Sequence, residues 1–161
     1  MYSSRCLAFL SLCLLWAPVA HAEPGLDAAQ LAKLKKFGPK VVVPAFVPPG
    51  FKVGQVKVDI DPRFGNSYNL IYNGPNQARF TVQGANGGIG DGPDGKPYPF
   101  QSPLLGKGQL QWSPPADGQP AGVWSGWLHL PGAEFPVFSL SGSAVDPQLA
   151  VKVIESLQLA P

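Results

Sequence analysis

Beyond residue 22 the chain has no cysteine; both cysteines, Cys6 and Cys13, fall in its opening segment. From Glu23 to Pro161 that excludes a disulfide scaffold, a thiol nucleophile and a thiolate metal site. Charge is scarce, at 14% of residues. Of 12 Lys and Arg, Arg5 lies in the opening segment, and the rest nearly balance the 10 Asp and Glu. No excess of either sign argues for nucleic acid or an anionic surface. After residue 22 there is one histidine, His129, no internal repeat, and no apolar run approaching the roughly 20 residues of a membrane span. Glycine and proline, by contrast, number 19 each. Beside an apolar content of 45% that falls in periodic runs, they describe tight turns between short strands rather than disorder.

Residues 1–22 read as a secretory leader. Arg5 gives a positive n-region, Cys6 to Trp16 an apolar h-region, and Ala20-His21-Ala22 an A-x-A cleavage signal before Glu23. The h-region is short for a membrane anchor and Pro18 interrupts it. The expected location is secreted or periplasmic, with no transmembrane segment once the leader is removed.

The rest is organised around Val41 to Ile60, VVVPAFVPPGFKVGQVKVDI. Pro48-Pro49-Gly50 has the residues of a type II turn, with proline fixing φ and glycine supplying the positive φ. In the strand that follows, Phe51 and Val53 are apolar at odd positions, and Val56, Val58 and Ile60 at even ones. A strand with one buried face cannot change phase without flipping its side chains, so the pattern predicts a β-bulge at Gly54-Gln55.

Before this stretch, Asp27 to Phe37 reads as a short helix, with Asp27 and Gln30 as a capping box and Gly38-Pro39 as its stop. After it, Tyr68–Asn73 and Ala78–Gln83 read as strands around an Asn73-Gly74-Pro75-Asn76 turn, completing an antiparallel meander. Gly84–Pro103 breaks every periodicity and reads as one long loop. Strands follow at Leu104–Trp112, Val123–Leu130 and Glu134–Ser141, with Ser113–Gly122 as a flexible connection. The last element is a helix with Asp146 as N-cap and Pro147 at its first position. Ala150, Val153, Ile154 and Leu157 form one apolar stripe on it. The class is therefore α+β: a single curved antiparallel sheet of about six strands, a short N-terminal helix, and a C-terminal helix packed on the sheet. The organisation is a leader over 1–22, a helix and linker over 23–40, and a single α+β domain over 41–161.

PAFVPPGFKV, SYNLIYNG, the strand ARFTVQG with its Gly-rich sequel, GVWSGWLHLPGAEFPVFSLSG and the closing IESL together resemble the bacterial extracytoplasmic domain-of-unknown-function family DUF4367. The resemblance spans Val41 to Leu159 and rests on turns, strands and the final helix. It implies an extracytoplasmic domain. That family has no defined catalytic set, so no site residue carries over.

Residues suited to chemistry are few. His129 would be the base of any Ser-His-Asp arrangement. Ser125 lies roughly 13 Å away along an extended strand, while Ser139 and Ser141 lie on a neighbouring strand. WSGW lacks the first glycine of a G-x-S-x-G elbow. Asp91 and Asp94 in GDGPDGK are weak metal candidates, because the spacing misses the calcium-loop alternation. GGIGDG lacks the strand-to-helix setting of a nucleotide loop. No cofactor is called for. The aromatic residues Tyr98, Trp112, Trp124 and Trp127 could stack on a sugar or grip a peptide. Trp124 and Trp127 are three apart, so a regular strand points them to opposite faces, one of them the core.

The reading that emerges is a non-enzymatic binding or interaction domain of the cell envelope. Its contact surface would be the concave sheet face near Trp124 or Trp127 and the Gly84–Pro103 loop, and its partner an envelope protein or a polysaccharide. A hydrolase using His129 and a carrier of an apolar ligand between sheet and final helix are the alternatives. N-terminal sequencing of the protein exported from a bacterial host is expected to begin at Glu23; a chain that still begins at Met1 would show a retained leader.

Overall fold

The computed structural model describes residues 25–38, 40–87 and 90–161. The leader expected over residues 1–22 lies outside them. The class is α+β, as expected: two helices and a large antiparallel sheet of eight strands, with a second sheet of two strands.

The elements are α1 (Ala28–Leu34), β1 (Val42–Pro44), β2 (Lys52–Asp59), β3 (Ser67–Asn73), β4 (Arg79–Ala85), β5 (Lys96–Ser102), β6 (Gly106–Ser113), β7 (Gly122–Trp124), β8 (Leu128–His129), β9 (Val137–Ser143), α2 (Pro147–Glu155) and β10 (Leu157–Leu159). The large sheet runs β2-β3-β4-β9-β7-β6-β5, with β8 also paired to β9. The small sheet is the antiparallel pair β1 and β10.

Local chemistry fixes most of these boundaries. The Asp27 carboxylate accepts from the Gln30 amide at 2.7 Å, and the Gln30 side chain accepts from the Asp27 amide at 2.9 Å. That closes the capping box of α1. The Phe51 amide donates to the Pro48 carbonyl at 3.0 Å with Gly50 at φ 83°, a type II turn. β2 carries the expected bulge: Val53 pairs with Tyr72 but Gln55 with Ile71, so Gly54 is the extra residue. A Cβ on Gly54 would lie 2.2 Å from the Asn73 side-chain amide, so any other residue there displaces that side chain. Asp146 caps α2 by accepting from the amides of Gln148 and Leu149.

One face of the large sheet is covered. Tyr68, Leu70 and Tyr72 of β3, Phe80 and Val82 of β4, Phe138 and Leu140 of β9, Leu110 of β6 and Val123 of β7 are buried there. They share one core with Leu34 and Phe37, with Val42 and Val43 of β1, and with Ala150, Val153 and Ile154 of α2. The segment before residue 41 therefore belongs to the same core as the rest. Tyr68 ties the layers together. Its hydroxyl accepts from the Val42 amide at 2.9 Å and donates to the Val42 carbonyl at 2.8 Å, while Phe37 meets its ring edge-on at 4.9 Å.

Side chains reach both outer edges of the large sheet. On β5 the Gln101 amide donates to the Glu155 carboxylate at 3.0 Å, so residues sharing its orientation direct their backbone away from β6. The two alternate positions before it are Pro97 and Pro99, which have no N–H to offer. On β2 the Lys33 ammonium donates to the Val56 carbonyl at 2.7 Å.

Four expectations change. Lys96–Ser102, placed in the long loop by its prolines, is the edge strand β5, so the true connection from β4 is 86–95. The single strand expected over Val123–Leu130 is two, β7 and β8. Leu157, read as the last residue of a helical stripe, lies in β10. The strand count exceeds six because β5 and the division into β7 and β8 add two strands to the large sheet, and β1 and β10 form a second sheet.

Burial pushes the hydroxyls of Tyr68 and Tyr72 above the ordinary tyrosine range; at Tyr68 the hydrogen bond with Val42 opposes this in part. The folded state thus keeps protons that the unfolded chain releases, so stability holds below about pH 10 and falls as the pH rises past it. Urea unfolding at pH 8 and pH 11 measures this. Tyr68→Phe is expected to cost about 1–3 kcal/mol at pH 8, because it leaves buried Val42 groups without a partner, and to make the alkaline decline shallower.

Candidate functional site

The structure divides the aromatic candidates between the two faces of the sheet. Tyr98 pairs with Leu110, and Trp112 with Val123, which puts both on the covered face. They are partly buried against the core, and the Lys96 ammonium lies 5.5 Å from the Tyr98 ring centre. Trp124 pairs with Gln111 and Ser141 on the opposite face.

Trp124 and Trp127 are not split between surface and core, as a regular strand would require. Trp124 pairs with Ser141 but Leu128 pairs with Phe138, so three residues, 125–127, stand opposite two. This is a second bulge. Its hinge is the buried Ser125, whose hydroxyl accepts from the Leu140 amide at 2.8 Å and donates to the Gly126 carbonyl at 2.9 Å, with Gly126 at φ 69°. A side chain thus fills the gap in the backbone ladder. The extra residue brings both indoles to one connection, 90–95. Gly92 lies so close on the Trp124 ring that a Cβ would fall 2.2 Å from it, and the Trp127 indole N–H donates to the Gly90 carbonyl. The Ser113 hydroxyl donates to the Asp94 carbonyl at 3.3 Å. The tryptophans fasten the chain's own loop.

His129 is exposed, and its Nδ1 lies 2.9 Å from the Glu134 backbone carbonyl. The Ser125 hydroxyl is engaged within the bulge, and Ser139 and Ser141 stand opposite Gln83 and Thr81 of β4. Asp91 and Asp94 are exposed, and no group of three or more His, Cys, Asp or Glu able to hold a metal occurs among the described residues.

The face that carries Trp124, where the contact surface was expected, is not the one that the helices cover. The apolar face is filled by α1, the β1–β10 pair and α2, and the open face is the other one. Its central rows read Asn69–Gln83–Ser139 across β3, β4 and β9, with Ser139 itself buried, and Ile71–Thr81–Ser141–Trp124–Gln111 from β3 to β6. A third row, Asn73–Arg79–Ser143–Gly122–Ser113, ends the face. Amides and hydroxyls dominate the centre; the charges are Arg79 and, where the rows continue onto β2, Lys57 beside Asn69 and Lys52 beside Asn73.

That third row runs into a cleft of about 880 Å³. The β3–β4 turn contributes Asn76 and Gln77, and the β6–β7 connection contributes Pro115 to Pro120. Arg79, Ser143 and Ala144 complete the lining. The connection, read from its composition as flexible, contains a hydrogen-bonded turn. The Ala116 and Gln119 backbones exchange bonds of 3.2 and 2.8 Å around Asp117-Gly118, both at positive φ, a two-residue hairpin. Asp-Gly is the sequence signal that marks this element. Every non-glycine residue with positive φ among those described (Asn76, Gln77, Asp117 and Ala144) lines this cleft. Asn and Asp tolerate that conformation; Gln and Ala do so at a cost of about 1–2 kcal/mol each.

Comparison of the chain with protein families, curated proteins and solved structures finds no match.

Trp127→Phe removes the indole N–H and keeps most of the ring. Amide hydrogen exchange in residues 90–95 is expected to accelerate, while global stability changes by about 1 kcal/mol or less. Unchanged exchange in that segment would show that Trp127 does not hold it.

Proposed function

We propose that this protein is a secreted, non-enzymatic binding module of the bacterial cell envelope, and that it contacts a neutral polysaccharide through the open face of its large sheet. The membership in DUF4367 suggested by its motifs belongs to the same proposal. The observation that carries it is the uncharged ladder of half-buried Asn69, Gln83, Thr81, Ser141 and Gln111 beside Trp124. Sugar hydroxyls are donors and acceptors at once, and so are amides and hydroxyl side chains. A flat face with few ions also avoids the desolvation cost that buried charges bring. Paired strands hold these groups in fixed rows, which lowers the ordering cost of binding.

Calorimetric titration of the purified protein with cellohexaose, xylohexaose and chitohexaose tests this. Binding to at least one is expected, with an affinity that changes little between low and high salt, since no ion pair forms. The double variant Asn69→Ala, Gln83→Ala removes two neutral hydrogen-bonding groups and is expected to weaken binding by about 5–100-fold. No binding of the unaltered protein to any of the three would overturn the proposal and favour a protein partner.

A further inference from the structure

From the cleft that ends the open face we infer a sugar-binding subsite that grips vicinal hydroxyls, with Arg79 and Asp117 as its charged anchors. The inference rests on the polysaccharide reading and names the groups that would select among sugars. Arg79 and Asp117 both line the cleft, and among the described residues no ion pair or hydrogen bond engages the Arg79 side chain. The Asp117 carboxylate is likewise without such a partner there. Two opposite charges that share a cleft without pairing suit a neutral ligand that serves both. A vicinal diol does so: its oxygens accept from the fork of a guanidinium, and its hydroxyls donate to the two oxygens of a carboxylate. A ligand of one charge would satisfy one anchor and repel the other.

The backbone adds a second, independent argument. Strained residues gather where a ligand is clamped, provided the surroundings hold them. Gln77 occupies the second central position of a tight turn with φ 63°, where glycine is the unstrained choice, and the Ala78 amide closes that turn onto the Pro75 carbonyl at 2.9 Å. Its strained backbone sets an amide-bearing side chain at the cleft wall. Ala144, at φ 55°, is held by its amide donating to the Ala121 carbonyl at 2.8 Å, and so joins the end of β9 to the residue before β7. The strain lies in two separate chain segments, and both border the cleft. Arg79 and Ser143 belong at once to the cleft and to the last row of the open face, so a chain lying on that face meets the cleft without leaving the protein.

The test uses the hexasaccharide that binds most tightly among cellohexaose, xylohexaose and chitohexaose, titrated into the unaltered protein, Arg79→Ala, Gln77→Gly, and the Asn69→Ala, Gln83→Ala pair. Arg79→Ala is expected to lower affinity at least about tenfold, the loss of a charge-assisted pair of bonds, with little change in melting temperature. Gln77→Gly is expected to raise the melting temperature by about 2–8 °C and still weaken binding, a combination that a purely structural role would not produce. If Arg79→Ala and Gln77→Gly bind like the unaltered protein while the Asn69→Ala, Gln83→Ala pair weakens, the cleft inference is overturned and the open-face reading stands. If the unaltered protein binds none of the three sugars, both fall.

Discussion

The fold depends on one buried hydroxyl. Strand β1 lies over the core with one backbone edge bonded to β10, which leaves the N–H and C=O of Val42 facing inward. A buried peptide group without partners costs a few kcal/mol in such surroundings. Tyr68 supplies both partners with one oxygen. Next along that edge is Pro44, which has no N–H to satisfy. The same ring receives Phe37 from the segment after α1 and lies against Gly84 of β4, where a Cβ would stand 2.2 Å from it. The small sheet, the N-terminal segment and the central strands are therefore registered against one side chain. Its position in β3 also decides which residues of that strand face outward, and hence the row that begins with Asn69.

Two extra residues then set the phase of the strands. The bulge at Gly54 lets β2 turn Val53 and Val56 to the same side although they are three apart. The bulge at Ser125 does the same for the strand that carries Trp124 and Trp127, and here the displaced residue has a structural task of its own, since its hydroxyl replaces a backbone acceptor. The outcome is a division between faces. One is apolar and closed by helices and the small sheet; the other carries amides, hydroxyls and a loop fastened by indoles. Because the ladder between them is continuous, the outward groups have little freedom of their own.

Where local chemistry decides, the sequence was readable. The phase slip around Gly54, the turn at Pro48-Pro49-Gly50, both helix caps and the meander from β2 to β4 are short-range events with characteristic residues. Long-range pairing hid the rest. Lys96–Ser102 alternates prolines and so reads as loop, until an outer edge gives those prolines a direction in which no N–H is needed. The break between β7 and β8 depends on Ser125 meeting Leu140, which no local pattern announces. β1 and β10 are recognisable as strands only once the two ends of the domain meet. The cleft was missed for a different cause. Its walls are turns, and turn composition describes flexibility as readily as it describes a fixed hairpin; Asp117-Gly118 was the discriminating pair. Gln77 and Ala144 carry no sequence mark at all, since strain is a property of φ.

The outer edges of the large sheet bear on how copies of the protein can lie together. A sheet grows by exchanging backbone hydrogen bonds in both directions. On β5 the prolines and the Glu155 carboxylate leave acceptors but no row of donors, and on β2 a lysine occupies the Val56 carbonyl. Molecules crowded together at high concentration would therefore meet little at these edges that extends a sheet from one copy to the next, and dilution would return single molecules to solution rather than leave a fibre behind.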